Sequence, residues 1–84
     1  VYSIGNNQAE IIHAQALKSS KLVNKEIKDA GLPEGIKLGL VKKEGKIMIP
    51  DKSTIIDERD EVLFICMTED LKKAEDLFKV REAY

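Results

Sequence analysis

No stretch of the chain limits its fold as much as Val62-Leu63-Phe64-Ile65-Cys66-Met67, six consecutive apolar residues between charged turns. The run is too short for a buried helix and rich in β-formers, which predicts a central strand covered on both faces. A strand of that kind needs partners, and the spacing upstream supplies them. From Ile36 the apolar period is two, so that Ile36, Leu38 and Leu40 face one way and Lys37, Gly39 and Val41 the other; Lys43-Glu44-Gly45-Lys46 then turns the chain into Ile47-Met48-Ile49. Pro50-Asp51-Lys52-Ser53 ends this hairpin, and Thr54-Ile55-Ile56 reads as one further short strand.

Two segments read as helices. Across residues 22–30, Val23, Ile27 and Ala30 fall at i, i+4 and i+7, with Gly31 as a left-handed cap and Pro33 as a stop. Residues 69–79 carry Leu71, Ala74, Leu77 and Phe78 as a buried stripe, with Thr68 as cap and Glu69 and Asp70 in the first turn, where the helix dipole favours acids. Residues 9–17 fit two patterns. Their propensity slightly favours helix, whereas alternation of Ile12, Ala14 and Ala16 with His13 and Gln15 fits an amphipathic strand. Residues 1–8, with Gly5-Asn6-Asn7 as turn formers, read as the end of a linker, and the start at Val1 suggests a domain excised from a longer protein. The expected fold class is α+β: two layers, with a mixed β-sheet of four to five strands (9–17, 36–42, 46–49 and 61–67) and two helices.

Composition sets the scale of what such a domain does. A chain of 84 residues has room for one core, and at this size it buries only about 60% of its unfolded surface, so pairing adds useful burial. With 14 basic against 15 acidic side chains, it lacks the uncompensated positive charge of a sequence-independent nucleic-acid or anionic-membrane binder. No apolar stretch reaches the ~20 residues of a membrane span. The single cysteine, Cys66, allows no internal disulfide, and inside its apolar run it reads as a buried thiol in a reducing cytosol.

The chemistry-bearing residues are sparse. His13 has no second imidazole or thiolate at ligand spacing, which leaves a structural or surface role. The acidic clusters 57–61 and 69–70 lack the spacing and internal glycine of a calcium loop and read as a solvated turn and a helix start. The five glycines are scattered as caps and turns and cradle no phosphate. Lys37, Lys42, Lys43 and Lys46 around the hairpin read first as guards against edge pairing. With two Tyr, two Phe and no Trp there is no platform for stacked bases, and no nucleophile–base pair is apparent. The residues point to a small binding or assembly module rather than an enzyme.

Taken together, AEIIHAQAL, Ser20-Lys21-Leu22-Val23-Asn24-Lys25, LPEGIKLGLVKKEGKIMIPDKSTI and DERDEVLFICMTED, in that order, resemble the C-terminal regulatory domain of potassium-transport proteins, the RCK_C or TrkA_C family. The resemblance covers residues 9–80, and the closing block is similar to the end of bacterial TrkA-type proteins. One departure stands out: the Gly-Asp usual before the long strand is Arg59-Asp60 here, so a glycine-preferring turn must accept a side chain.

The resemblance implies a strand at residues 9–17 and a regulatory domain over residues 9–84. It implies a cytoplasmic protein that dimerises, senses a small ligand and controls a potassium uptake system of Trk or Ktr type at the inner face of the plasma membrane, through the membrane transporter subunit. Other implied partners are a second copy of the chain, making a homodimer, and an upstream Rossmann (RCK_N) domain; NAD(H) or ATP/ADP is expected there and no cofactor in this domain. In one branch cyclic di-AMP binds between two copies, and its contacts correspond by position to Lys37, Leu38 and Pro50. No direct nucleic-acid binding is expected; the competing expectation is an effector domain of a DNA-binding transcription regulator, or of another ion transporter.

Overall fold

The computed structural model describes residues 2–78. Five strands, β1 (Tyr2–Ile4), β2 (Ala9–Gln15), β3 (Ile36–Lys43), β4 (Lys46–Met48) and β5 (Glu61–Met67), form one sheet in the order β1-β2-β5-β3-β4. The apolar run is β5, the middle strand, hydrogen-bonded to β2 on one side and β3 on the other. Residues 9–15 are therefore strand. Every pairing between the strands is antiparallel, which corrects the expected mixed sheet. β2 and β3 do run parallel to each other, but β5 inserts between them, so the two never pair.

The segment 22–30 is not a helix. Asn24 sits at φ 65°, which ends any right-handed helical run, and only Ile27–Asp29 make a single 3₁₀ turn, closed by Gly31 at φ 70°. The segment's backbone N–H groups instead donate across to another loop: Asn24 to the Ile56 carbonyl, Ile27 to Thr54 and Lys28 to Lys52, at 2.8–3.0 Å. Val23 and Ile56 form an isolated parallel bridge, and Glu26 and Ile55 an antiparallel one. The expected short strand at 54–56 thus exists as bridges to this loop. Leu22, Val23, Ala30 and Ile56 are buried all the same, because the apolar spacing that imitates a helical stripe serves an irregular cover over the sheet.

One helix is present among the described residues, α1 (Leu71–Phe78), entered through a 3₁₀ turn at Thr68–Asp70. Thr68 does not cap it; its hydroxyl donates to the Asn7 carbonyl and ties the helix entry to the β1–β2 turn. Ala74 is buried against the core, with Leu71 and Leu77 packed at its edge. The expected helix end at Lys79, and the packing of the Phe78 side chain, lie outside the described residues.

Tyr2–Ile4, read above as linker, pair with Ala9–Ile11 as an edge strand through a turn in which Gly5, Asn6 and Asn7 all have positive φ. At the other edge the β3–β4 hairpin is closed by Glu44 and Gly45 at φ 47° and 83°, the doubly left-handed turn that matches strand twist.

Candidate functional site

The two faces of the sheet are unequal, and the alternation along each strand explains why. Ile36, Leu38 and Val41 of β3, Val62, Phe64 and Cys66 of β5 and Ala14 of β2 face inward, beneath α1 and the 17–32 loop. Strict alternation would have kept Leu40 on one face with Ile36 and Leu38, and Val41 on the other. A bulge between Leu38 and Leu40 adds one residue, so Leu40 turns outward at 37% exposure and Val41 takes the core position at 0%. Gly39 is the inserted residue and runs close to β5, where a Cβ would lie 3.6 Å from the Leu63 carbonyl oxygen.

The outward face is open. Strand pairing lines up Ile4, Ala9 and Met67 in one rung, Ile11, Ile65 and Lys37 in the next, His13, Leu63 and Leu40 in a third, and Gln15, Glu61, Lys42 and Ile47 in a fourth. β5 was expected to be covered on both faces; Ile65 and Met67 instead remain 45% and 42% exposed. At the polar end of this face lies a groove of about 290 Å³, floored by Leu40, Leu63 and Ile47. Glu61 closes its rim, with one carboxylate oxygen 2.8 Å from His13 Nε2 and the other 3.7 Å from Lys42 Nζ.

A second charged cluster joins β3 to the 57–60 turn. The Lys43 ammonium donates to Asp57 Oδ2 at 2.9 Å and to the buried Asp60 carboxylate, which also accepts the Asp57 N–H at 2.8 Å. Burial works to lower the Lys43 pKa, but hydrogen bonds to Asp60 and Asp57, and their charges, outweigh it and hold the pKa above the ordinary 10.5. Sequence reading missed this link, although Asp57 and Asp60 at i and i+3 in a turn were its available signal. Arg59 between them sits at φ 74°, so the side chain standing where the resemblance led to an expected glycine is held in the left-handed region.

The residues expected to contact a ligand do not form one cluster. Lys37 is exposed on the open face, Leu38 is buried on the opposite face beside Phe64, and Pro50 is half-buried after β4. Cys66 is fully buried, and burial, then the charges of Asp70 and Glu10, push its thiol pKa above the usual value. Among the described residues, no three His, Cys, Asp or Glu side chains gather to hold a metal ion, and no helix is long and apolar enough to cross a membrane.

A sheet in the order β1-β2-β5-β3-β4, an irregular loop over residues 17–32 and one closing helix among the described residues make up this fold, and it has relatives. The profile of the TrkA-C domain matches residues 15–79. The chain belongs to the TrkA-C domain family. The Trk system potassium uptake protein TrkA of Azorhizobium caulinodans is 34% identical over 80 residues, which is 95% of this chain and 18% of that protein. A TrkA homolog of Archaeoglobus fulgidus is 28% identical over 78 residues, again 18% of its length. The chain therefore spans less than a fifth of these relatives. The fold of the TrkA-C family is also seen in the RCK_C domain dimer of S. agalactiae BusR in complex with c-di-AMP, with a TM-score of 0.73 at 17% identity over 88% of this chain and 95% of that one. BusR bound to its busAB-promotor DNA superposes with a TM-score of 0.74, covering all of this chain and 42% of that one at 17% identity.

Proposed function

We propose that this TrkA-C domain is the dimerising, ligand-sensing regulatory part of a potassium uptake subunit of Trk type. The observation that carries the reading is the 34% identity to a Trk system potassium uptake protein along nearly the whole chain. The described part holds an open apolar sheet face and a groove of about 290 Å³ lined by His13, Leu40 and Leu63, surfaces that suit a binding module. The parent protein works in the cytoplasm at the inner face of the membrane, bound to the transporter subunit, with a nucleotide carried on a Rossmann domain that precedes this one. Two copies of the domain pair, and a small nucleotide binds between them. Of the three positions expected to touch it, Lys37 has an exposed ammonium for a phosphate, Pro50 offers an apolar rim, and Leu38 supports the strand from below.

In the full parent chain, deleting residues 9–84 should uncouple potassium uptake, followed by radioactive rubidium influx, from its normal control. Unaltered uptake, together with specific binding of the parent chain to promoter DNA, would instead favour an effector domain of a transcription regulator, a reading prompted by the fold shared with BusR. Calorimetry with cyclic di-AMP and adenine nucleotides on the wild type and on Lys37→Ala tests the ligand. Equal heats from both proteins would remove Lys37 from the site.

A further inference from the structure

We propose that the groove between His13, Lys42 and Glu61 binds a small organic monocarboxylate and takes up a proton with it. This goes beyond the nucleotide reading above and uses none of Lys37, Leu38 and Pro50. At about 290 Å³ the groove is at the small end of the range for organic ligands, and it has the make-up such sites share, an aliphatic floor of Leu40, Leu63 and Ile47 with a few polar groups at one rim. The floor exists because the β3 bulge turns Leu40 outward beside Leu63, its partner on β5, while Ile47 arrives from β4 through its pairing with Lys42.

The rim fixes the charge of the occupant. With a neutral imidazole it carries one acid, Glu61, against one lysine, Lys42. Glu10, Lys43 and Lys46 alternate onto the other face, and Lys37 stands two rungs from Glu61, about 13 Å along the strand, beyond the range of an exposed charge in physiological salt. Lys42 holds Glu61 by charge alone, since at 3.7 Å its Nζ is outside hydrogen-bond distance, and no other described residue uses its protons. His13 is committed differently. An ionised carboxylate only accepts, so at 2.8 Å Nε2 carries the hydrogen that Glu61 receives, and Nδ1 is the acceptor of the neutral ring. A carboxylate arriving beside Nδ1 reverses that atom's role: the ring takes a proton from water there, becomes a cation, and donates Nε2–H to Glu61 and Nδ1–H to one ligand oxygen, while Lys42 donates to the other. Two cations then face two carboxylates, and the apolar body of the ligand lies on Leu40, Leu63 and Ile47. A phosphate dianion would leave a charge unmatched beside Glu61, and an organic cation would meet the Lys42 ammonium, so a singly charged carboxylate is the class that fits.

Heteronuclear NMR on the 84-residue chain, titrated with benzoate or hexanoate at millimolar concentration, should move the amide signals of Leu40, Ile47 and Leu63, whereas benzyl alcohol and benzylamine should leave them in place. Between about pH 8 and about pH 6, where imidazoles take up their proton and the ligand carboxyl stays ionised, the affinity for benzoate should rise by up to about tenfold. Calorimetry in two buffers of different ionisation enthalpy should show net proton uptake on binding. Lys42→Met should weaken benzoate binding by about tenfold, and His13→Gln should abolish both the rise with acid and the proton uptake. Both side chains are exposed, so the circular dichroism spectra should match the wild type. If either variant does not fold, the ligand series and the two-buffer calorimetry on the unaltered chain decide alone. No movement with either acid, or equal movement with benzyl alcohol, overturns the site; binding without proton uptake overturns the part assigned to His13. None of these probes is a nucleotide, so failure here leaves the Lys37 reading to its own titration.

Discussion

Arg59 shows what a single side chain costs when the backbone needs glycine. At φ 74° its Cβ crowds the following carbonyl, while its N–H is committed to the Ala16 carbonyl at 2.9 Å, so the turn cannot relax. Arg59→Gly should raise stability by about 0.5–1 kcal/mol, the strain relieved outweighing the added freedom of the unfolded chain. Urea unfolding measures this directly, and a loss of stability would show that the Arg59 side chain makes a compensating contact. The neighbouring Lys43 link carries a pH signature. A lysine whose folded pKa is raised contributes stability that is complete below the unfolded value, 10.5, and disappears as pH climbs through the folded one. Lys43→Met should therefore cost about 2 kcal/mol near neutrality, because the buried Asp60 loses its ammonium partner. The gap between variant and wild type should narrow as pH climbs above 10.5 and the Lys43 ammonium is lost. Cys66, buried and with a raised pKa, should resist iodoacetamide in the folded chain and react only on unfolding.

At the scale of the elements, the 17–32 loop and α1 hold each other. The Ser20 hydroxyl donates to the Leu77 carbonyl at 2.9 Å and accepts the buried Leu22 N–H at 3.2 Å, while the Lys21 N–H reaches the same Leu77 carbonyl. One hydroxyl thus satisfies a helix-end carbonyl and an otherwise unpaired amide. Ser20→Ala should cost about 1–2 kcal/mol, and hydrogen exchange should quicken at Leu22 and through the last turn of α1, not in β5. Loss of protection throughout the sheet instead would mean that the loop and helix are not a separable unit. Asn24 marks the same loop as non-helical: Asn24→Gly should be tolerated at its positive φ, whereas Asn24→Val should destabilise by roughly 1–2 kcal/mol without adding helix to the circular dichroism spectrum.

For the whole molecule, a domain covered on one face only should owe part of its stability to association. The thermal midpoint of the 84-residue chain should rise with protein concentration, as mass action requires when only the folded state pairs. Calorimetry over a wide concentration range reads this dependence, and a midpoint independent of concentration would count against association.

What local chemistry decides was legible in the residues. The apolar run at 62–67 predicted the central strand it forms, Lys43-Glu44-Gly45-Lys46 the hairpin turn, and residues 71–77 have the one-sided spacing of their helix. The ordered blocks that resemble the RCK_C family also led to the family that the chain proves to match. What failed depended on partners distant in sequence. The 22–30 segment has helical spacing, but its amides find the carbonyls of residues 52–56, and the positive φ at Asn24 is stable only because that loop is there. β3 alternates cleanly on paper, and the bulge that moves Leu40 out and Val41 in exists only against β5. For the same reason Lys37 and Leu38, adjacent in the chain, end on opposite faces of a sheet. A period of two records that neighbouring side chains part company; which of them meets the core and which meets a partner depends on the strand that pairs alongside and the layer packed on top.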